Sequence, residues 1–206
     1  YRLTVEVDTP DGVKTGSSVI EVDTEVAGGY SIPTPGRVTN RVRGEAVTVD
    51  LGEGRVLFAL LRSEADIDWA GRVMYRLSPQ YAGENALRDG YRNMLRHRPE
   101  RTVPRHFSRA DQVNKRSAYP MLVTFGDLDD PASVERVDPD DLAATFGEGV
   151  RLKRITVQIT DDPLTSGIEQ RLGWLGNIRE MNLSNEDFPE DFPVGDFSGL
   201  FQKDTL

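Results

Sequence analysis

The fold class is decided by the segment RLTVEVDTPDGVKTGSSVIEV, residues 2–22. From Leu3 to Val7, apolar residues alternate with polar ones, which is typical of a β-strand with one buried face. Pro10–Gly12 follows, where proline fixes φ, aspartate can bond its own backbone and glycine tolerates positive φ. The segment therefore predicts an antiparallel hairpin in which residues 3–7 pair with part of residues 13–22.

A second hairpin is predicted further along the chain. Residues 47–51 alternate in the same way, Gly52–Gly54 supplies a turn, and residues 56–61 are apolar at every position. A strand that is apolar on both faces is typical of the centre of a sheet. We therefore expect residues 47–51 to pair with residues 56–61, and the second of these strands to lie inside its sheet.

Helical and strand patterns alternate in the rest of the chain. The predicted elements are a Gly- and Pro-rich loop at 24–44, helices at 63–77 and 82–96, strands at 121–125 and 151–160, and short helices that begin at Asp138 and at a Ser166/Glu169 capping box. Strands come first, a helical insertion follows in the centre, and strands then return. This order favours an α+β fold with a mixed or antiparallel sheet, and we expect residues 1–182 to form a single domain.

Residues 183–206 have a different composition, in which phenylalanines are interleaved with proline, glycine and carboxylates. Such a mixture favours neither helix nor strand, and it predicts an extended docking tail. We expect its rings to be buried against this domain or a partner, because free phenylalanines promote aggregation. We also expect its carboxylates near the stretch 88–109. The candidate binding residues of the tail are Phe188, Phe192, Phe197 and Phe201.

Charge is distributed unevenly along this acidic chain. The net charge of -9 excludes a general nucleic-acid-binding protein, which would need lysine and arginine against phosphates. Residues 88–116 nevertheless hold nine Lys/Arg and three carboxylates. Guanidinium groups bind phosphates and carboxylates bidentately, so this stretch is a candidate binding surface; alternatively, it balances the acidic blocks of the same chain. The candidate residues are Arg88, Arg92, Arg96, Arg98, Arg101 and Arg105.

No catalytic, nucleotide-binding or metal motif is present in the sequence. There is no cysteine, and the chain has two histidines. His97 with Glu100, or His106 with Asp111, could supply a general base and an orienting carboxylate. Neither pair has a recognisable nucleophile beside it. The sequence therefore predicts no catalytic residue, no metal and no cofactor, and a hydrolase that uses His97 or His106 is the alternative.

Two stretches carry a resemblance to a known group of proteins. Residues 1–10, YRLTVEVDTP, and residues 133–142, SVERVDPDDL, resemble hypothetical proteins of Gram-negative bacteria. Members of that group often carry a secretion or lipoprotein signal before this point. The resemblance implies a periplasmic or membrane-anchored envelope location, with anchoring through a segment that precedes Tyr1. It implies no activity, and a cytoplasmic location stays open.

These observations favour a non-enzymatic binding or accessory protein of the bacterial cell envelope. Its partner would be a protein, contacted through the Phe-rich tail or through the basic face of the helix at 82–96. A structural subunit of a larger assembly, attached through the tail, is a further alternative to the hydrolase.

Overall fold

Strands dominate the fold and form antiparallel sheets, with helices inserted between them. The computed structural model describes residues 1–27, 37–79, 82–83, 85–96, 98–181, 183, 185–189, 192 and 197–203. Among these residues the strands are β1 (Arg2–Thr9), β2 (Gly12–Val19), β3 (Glu21–Val26), β4 (Val38–Glu45), β5 (Val47–Gly52), β6 (Arg55–Ala59), β7 (Arg101–Thr102), β8 (Leu122–Phe125), β9 (Val134–Val137), β10 (Arg151–Gln158) and β11 (Gln202–Lys203). The helices are α1 (Trp69–Arg76), α2 (Ala86–Met94), α3 (Arg109–Val113), α4 (Leu142–Phe146), α5 (Ile168–Arg171) and α6 (Phe197–Phe201), with short 3₁₀ helices at Pro131–Ser133, Leu175–Glu180 and Asn185–Asp187. The predicted α+β class is confirmed.

Both predicted hairpins are confirmed. In the first sheet, of order β2-β1-β10-β7, Leu3 pairs with Ser18 and Val7 pairs with Lys14. In a second sheet, of order β5-β6-β8-β9, Val49 pairs with Leu57. Strand β6 lies between two neighbours, as its fully apolar sequence predicted.

The third sheet, of order β11-β4-β3, corrects the prediction of a long loop at residues 24–44. Strands β3 and β4 pair from Glu21 opposite Arg43 to Val26 opposite Val38. The two strands do alternate, since Val22, Thr24 and Val26 are half-buried and the carboxylates between them are exposed. The prediction was wrong because their inward positions include polar residues and because the glycine and proline of residues 28–36, which lie outside the described residues, were extended to the flanking strands.

The two helices of the insertion are shorter than the predicted ranges 63–77 and 82–96 and differ in burial. Trp69, Val73 and Met74 are buried in α1. This helix begins at Trp69 and not at Ser63, whose hydroxyl accepts the backbone N–H of Asp66 in the preceding turn. Leu95, at the C-terminal cap of α2, points toward solvent. This side chain is 58% exposed, and Gly90 is the buried residue.

The short helices after β8 begin at other residues than predicted. Helix α4 begins after Asp141, whose side chain accepts the backbone N–H of Ala144, and it ends at Gly147 with φ of 98°. The capping box predicted for α5 is wrong. The N-cap position holds Gly167 and shows no side-chain cap from its own helix.

Two hydrophobic cores result from this arrangement. The first lies between the sheet that contains β1 and the sheet that contains β5 and β6, and residues of α1 and α4 complete it. The second covers the other face of β6 and β8 and includes Trp174 and the rings of the C-terminal segment. The prediction that this segment forms neither helix nor strand is wrong, because α6 and β11 form there. Burial of Phe197, Leu200 and Phe201 offsets the low helical propensity of Gly199.

Candidate functional site

A groove of about 500 Å³ opens between α1, α2 and β4. We call it the aromatic groove, because aromatic side chains form two of its walls. It is lined by Val38, Asn40, Arg72, Tyr75, Arg76, Tyr91 and Phe107. Its volume is within the range of sites that hold small molecules or single side chains of a partner.

One wall of the aromatic groove is a stacked pair of tyrosines. The rings of Tyr75 on α1 and Tyr91 on α2 lie with centroids 4.4 Å apart and planes 19° from parallel. The two helices approach closely because α2 has glycine at position 90, where a Cβ would lie 2.9 Å from Cε2 of Tyr75. Burial raises the pKa of the Tyr91 hydroxyl. The stacked pair is thus held in place by a close contact between helices.

The floor of the aromatic groove is fixed by Asn40 on β4. Its Oδ1 accepts a hydrogen bond from the hydroxyl of Thr24 on β3 at 2.8 Å, and its side chain also bonds the hydroxyl of Tyr91. Gly71 allows α1 to pass close by, since a Cβ there would lie 2.9 Å from Cβ of Asn40. Asn40 is therefore held in position by the hydroxyl of Thr24 on one side and by the backbone of α1 on the other.

A phenylalanine ring and two guanidinium groups also line the groove. The guanidinium carbon of Arg76 lies 4.6 Å from the centroid of the Phe107 ring, in cation–π geometry, and its Nη2 lies 3.6 Å from Asp111. Arg72 binds Asp66 at 3.1 Å and Asp68 at 2.8 Å. These contacts hold both guanidinium groups at the rim.

Further arginines of the predicted set lie on the outer surface of α2. Arg88, Arg92 and Arg96 are exposed, and none forms an ion pair with any residue that the structure describes. Arg88 lies three residues before Tyr91, and residues at this spacing are neighbours on a helix surface. Unpaired positive charge thus lies next to the aromatic groove.

The other predicted arginines belong to different parts of the molecule. Arg98 binds Asp161 at 2.8 Å. Arg101 donates to the hydroxyl of Ser78 at 2.9 Å, and burial lowers the pKa of its guanidinium. Together with Arg105, which faces a second cavity, these side chains do not continue the surface of α2.

The second cavity, of about 380 Å³, is walled by ion pairs. Arg105 binds Asp140 through Nε at 3.1 Å and Nη2 at 2.8 Å, and its guanidinium lies 5.5 Å from the Tyr119 ring centroid. This contact with Arg105 lowers the pKa of the Asp140 carboxyl. Arg136 binds Glu64 at 3.1 Å. Each guanidinium of this cavity faces a carboxylate, as Arg72 and Arg76 do in the aromatic groove, and Nη1 of Arg105 is buried without a hydrogen-bond partner among the described residues.

The histidine hypothesis receives no geometric support. Nδ1 of His106 lies 2.7 Å from the backbone carbonyl oxygen of Arg116. Because a carbonyl only accepts, Nδ1 is the protonated nitrogen. The carboxylate of Asp111 instead accepts from the hydroxyl of Ser108 at 2.7 Å, so the predicted His106–Asp111 pair is not formed. His97 lies outside the described residues.

In the part of the chain that the structure describes, no group of three or more histidine, aspartate or glutamate side chains is placed to hold a metal ion.

The predicted phenylalanines of the tail are buried against their own chain. They pack around Phe58, Phe125 and Trp174, with Phe201 5.9 Å from Phe58. The rings Phe188, Phe192, Phe197 and Phe201 are between 0% and 7% exposed. In these positions the four rings form part of the second core and leave almost no exposed aromatic surface for a partner.

The structure describes only part of the tail's carboxylates. Four of its six carboxylates, Glu190, Asp191, Asp196 and Asp204, lie outside the described residues. Their predicted proximity to the arginine-rich stretch stays a prediction.

Sequence reasoning missed most of the aromatic groove. Arg72 and Arg76 are one turn apart on α1, and Tyr75 lies beside them, so a basic and aromatic edge next to the apolar stripe was a usable signal. Phe107 lies in a loop, and Asn40 lies on a strand that the sequence did not predict. No local pattern indicated either residue.

Comparisons with protein-family models, with curated proteins and with solved structures find no match for this chain. Among the described residues, no helix has both the length and the apolar character needed to cross a bilayer. The function of the protein is therefore inferred from the geometry of the aromatic groove.

Proposed function

We propose that this protein is a non-enzymatic binding or accessory protein that holds an acidic segment of a protein partner. The binding surface is the aromatic groove together with the outer face of α2. One observation carries the proposal: two arginines line an open aromatic groove, and three exposed arginines that form no ion pair with the described residues lie on and just after the adjacent α2, in a chain with a net charge of -9. These residues are Arg72, Arg76, Arg88, Arg92 and Arg96.

The arginines of α2 favour an external acidic partner. Arg88, Arg92 and Arg96 follow one another at i and i+4 spacing, where like charges repel by roughly 0.2–0.5 kcal/mol per pair. Asp89 is the one carboxylate of α2. Carboxylates of a bound segment would relieve this repulsion, and guanidinium groups match carboxylates in geometry as well as in charge.

The arginines of α2 and the aromatic groove contribute to binding in different ways. Exposed ion pairs contribute about 0–1 kcal/mol each, so the arginines of α2 steer and select the partner more than they hold it. Side chains that enter the groove remove apolar surface from water and supply most of the affinity. We therefore expect moderate affinity that falls as the ionic strength rises.

A short fluorescent peptide of glutamate and aspartate tests the binding surface. We expect fluorescence anisotropy to show binding at low salt that weakens in high salt. Arg88→Glu and Arg92→Glu should each weaken it several-fold, because each reverses one charge of the surface. Arg151→Glu is the matched control, since this side chain is 77% exposed on β10. Equal affinity of all four proteins, or no binding at low salt, would overturn the proposal.

An envelope location is the second part of the proposal. It is supported by the resemblance of residues 1–10 and 133–142 to proteins of Gram-negative bacteria. Fractionation of cells that express the tagged full-length protein tests it. Recovery in the periplasmic or membrane fraction is expected, and recovery in the cytoplasmic fraction alone would contradict it.

A further inference from the structure

We infer that the aromatic groove receives an aromatic side chain of the acidic partner segment as an anchor. This inference rests on the proposed function and specifies how that surface recognises its partner. The partner segment would then carry an aromatic residue that enters the groove and acidic residues that lie along α2.

The walls of the groove favour a planar ring. The stacked pair Tyr75 and Tyr91 lines the groove, and so does Phe107 beneath the guanidinium of Arg76. The Tyr91 and Phe107 rings are half-buried, so each keeps surface that a further ring would cover. Aromatic rings gain from offset or edge contacts with one another and from contact with guanidinium planes, beyond the area that an aliphatic side chain would bury.

The groove is held in its shape before any partner binds. Gly90 and Gly71 bring α2 and β4 into close contact with α1, and substitution of either would require Tyr75 or Asn40 to move. Arg72 is fixed at the rim by two carboxylates. Because the walls need little ordering on binding, more of the contact energy of an inserted ring appears as affinity.

The spacing of the arginines places the acidic residues relative to the anchor. Arg88 and Arg92 are four residues apart on α2, which corresponds to about 6 Å along the helix axis, and Arg96 lies in the turn that follows α2. An extended segment covers the distance between Arg88 and Arg92 in about two residues. The carboxylates that meet Arg88 and Arg92 should therefore lie within about four residues of the aromatic anchor.

Two short peptides of glutamate and aspartate test the inference, one with a central tryptophan and one with alanine in its place. We expect the tryptophan peptide to bind the full protein roughly tenfold more tightly. Tyr91→Ala should abolish this difference, because it weakens binding of the tryptophan peptide more than binding of the alanine peptide, whereas Tyr91→Phe, which keeps the ring, should retain it. Tyr119→Ala, in the second cavity, is the matched control and should also retain it.

The outcomes separate the inference from the proposed function. Equal binding of both peptides, with salt dependence and sensitivity to Arg92→Glu intact, would overturn the anchor and leave the acidic partner standing. Binding of neither peptide would overturn both. A tryptophan preference that survives Tyr91→Ala in a variant with an unchanged circular dichroism spectrum would place the ring elsewhere and also overturn the anchor.

Discussion

The carboxylate of Glu45 in β4 accepts a hydrogen bond from the backbone N–H of Ile168 at 3.1 Å. Its other oxygen accepts the N–H of Gly167 at 2.9 Å, and Glu45 is 5% exposed. The first N–H groups of a helix have no partner inside it, so a buried carboxylate at this point satisfies them. A side chain from the third sheet thus fixes the beginning of α5.

We expect Glu45→Ala to lower the free energy of unfolding by roughly 2–4 kcal/mol, because two charge-assisted hydrogen bonds are lost and two buried N–H groups are left without an acceptor. Urea denaturation measures the change. Glu169→Ala removes the exposed carboxylate of the predicted capping box and should change stability by less than about 0.5 kcal/mol. Similar losses in the two variants would show that Glu45 does not cap α5.

This cap shows where local sequence patterns stop being informative. The hairpins at β1–β2 and β5–β6 were predictable, because alternation and turn chemistry lie within about ten residues of each other. Glu45 and Ile168 are 123 positions apart. The Ser166/Glu169 pattern is typical of a capping box. In the folded chain the carboxylate of Glu45 accepts the first N–H groups of α5 instead. Strands β3 and β4 were missed although they alternate, because their inward positions include polar residues such as Thr24 and Asn40, which burial in the fold accommodates.

The candidate site was predictable to a smaller extent. The arginines of α2 stood out from composition alone, and Arg88, Arg92 and Arg96 do lie on one exposed surface. Sequence could not show that Arg98 and Arg101 turn to other partners. It also could not bring Phe107 from a loop to the groove, since that depends on the packing of three elements.

Gly16 on β2 marks the closest approach between the first and second sheets. A Cβ at this position would lie 2.1 Å from the backbone carbonyl oxygen of Thr48 on β5. Because backbone atoms cannot move aside cheaply, we expect Gly16→Ala to destabilise the protein by about 3 kcal/mol or more. Thermal unfolding followed by circular dichroism measures this. Gly173→Ala has open space around the added methyl group and should leave the melting temperature nearly unchanged; equal effects would contradict the close approach.

Phe201 is fully buried in the second core, and its ring meets Trp174 edge to face at 5.9 Å. We expect Phe201→Ala to cost about 3–5 kcal/mol of stability, because it leaves a cavity among aromatic rings. Tryptophan fluorescence should also change, since Trp174 loses a neighbouring ring. Phe188→Ala, nearer the surface at 7% exposed, should cost less. A Phe201→Ala protein as stable as the unaltered one would show that the C-terminal segment contributes nothing to the core.

The sheet that contains β1 carries an ion pair that responds to acid. The carboxylate of Glu6 accepts hydrogen bonds from Nε of Arg154 at 2.8 Å and from Nη2 at 2.5 Å, and Nζ of Lys153 lies 3.4 Å away. The hydrogen bonds from Arg154, together with its charge, lower the pKa of the Glu6 carboxyl below its ordinary value. The folded state therefore favours the ionised form of this group more than the unfolded state does.

A carboxyl whose pKa is lowered by folding contributes stability above its unfolded pKa, about 4.3 for glutamate, and that contribution disappears as the pH falls through the folded value. We expect Glu6→Gln to be less stable than the unaltered protein at pH 7, and the difference to shrink steadily below about pH 4. Urea denaturation across this pH range measures the gap. Arg154→Gln should show the same loss at pH 7, and the double variant should lose less than the sum of the two, because both substitutions remove one interaction. A gap between Glu6→Gln and the unaltered protein that stays constant down to pH 3 would show that Glu6 is not responsible for this acid sensitivity.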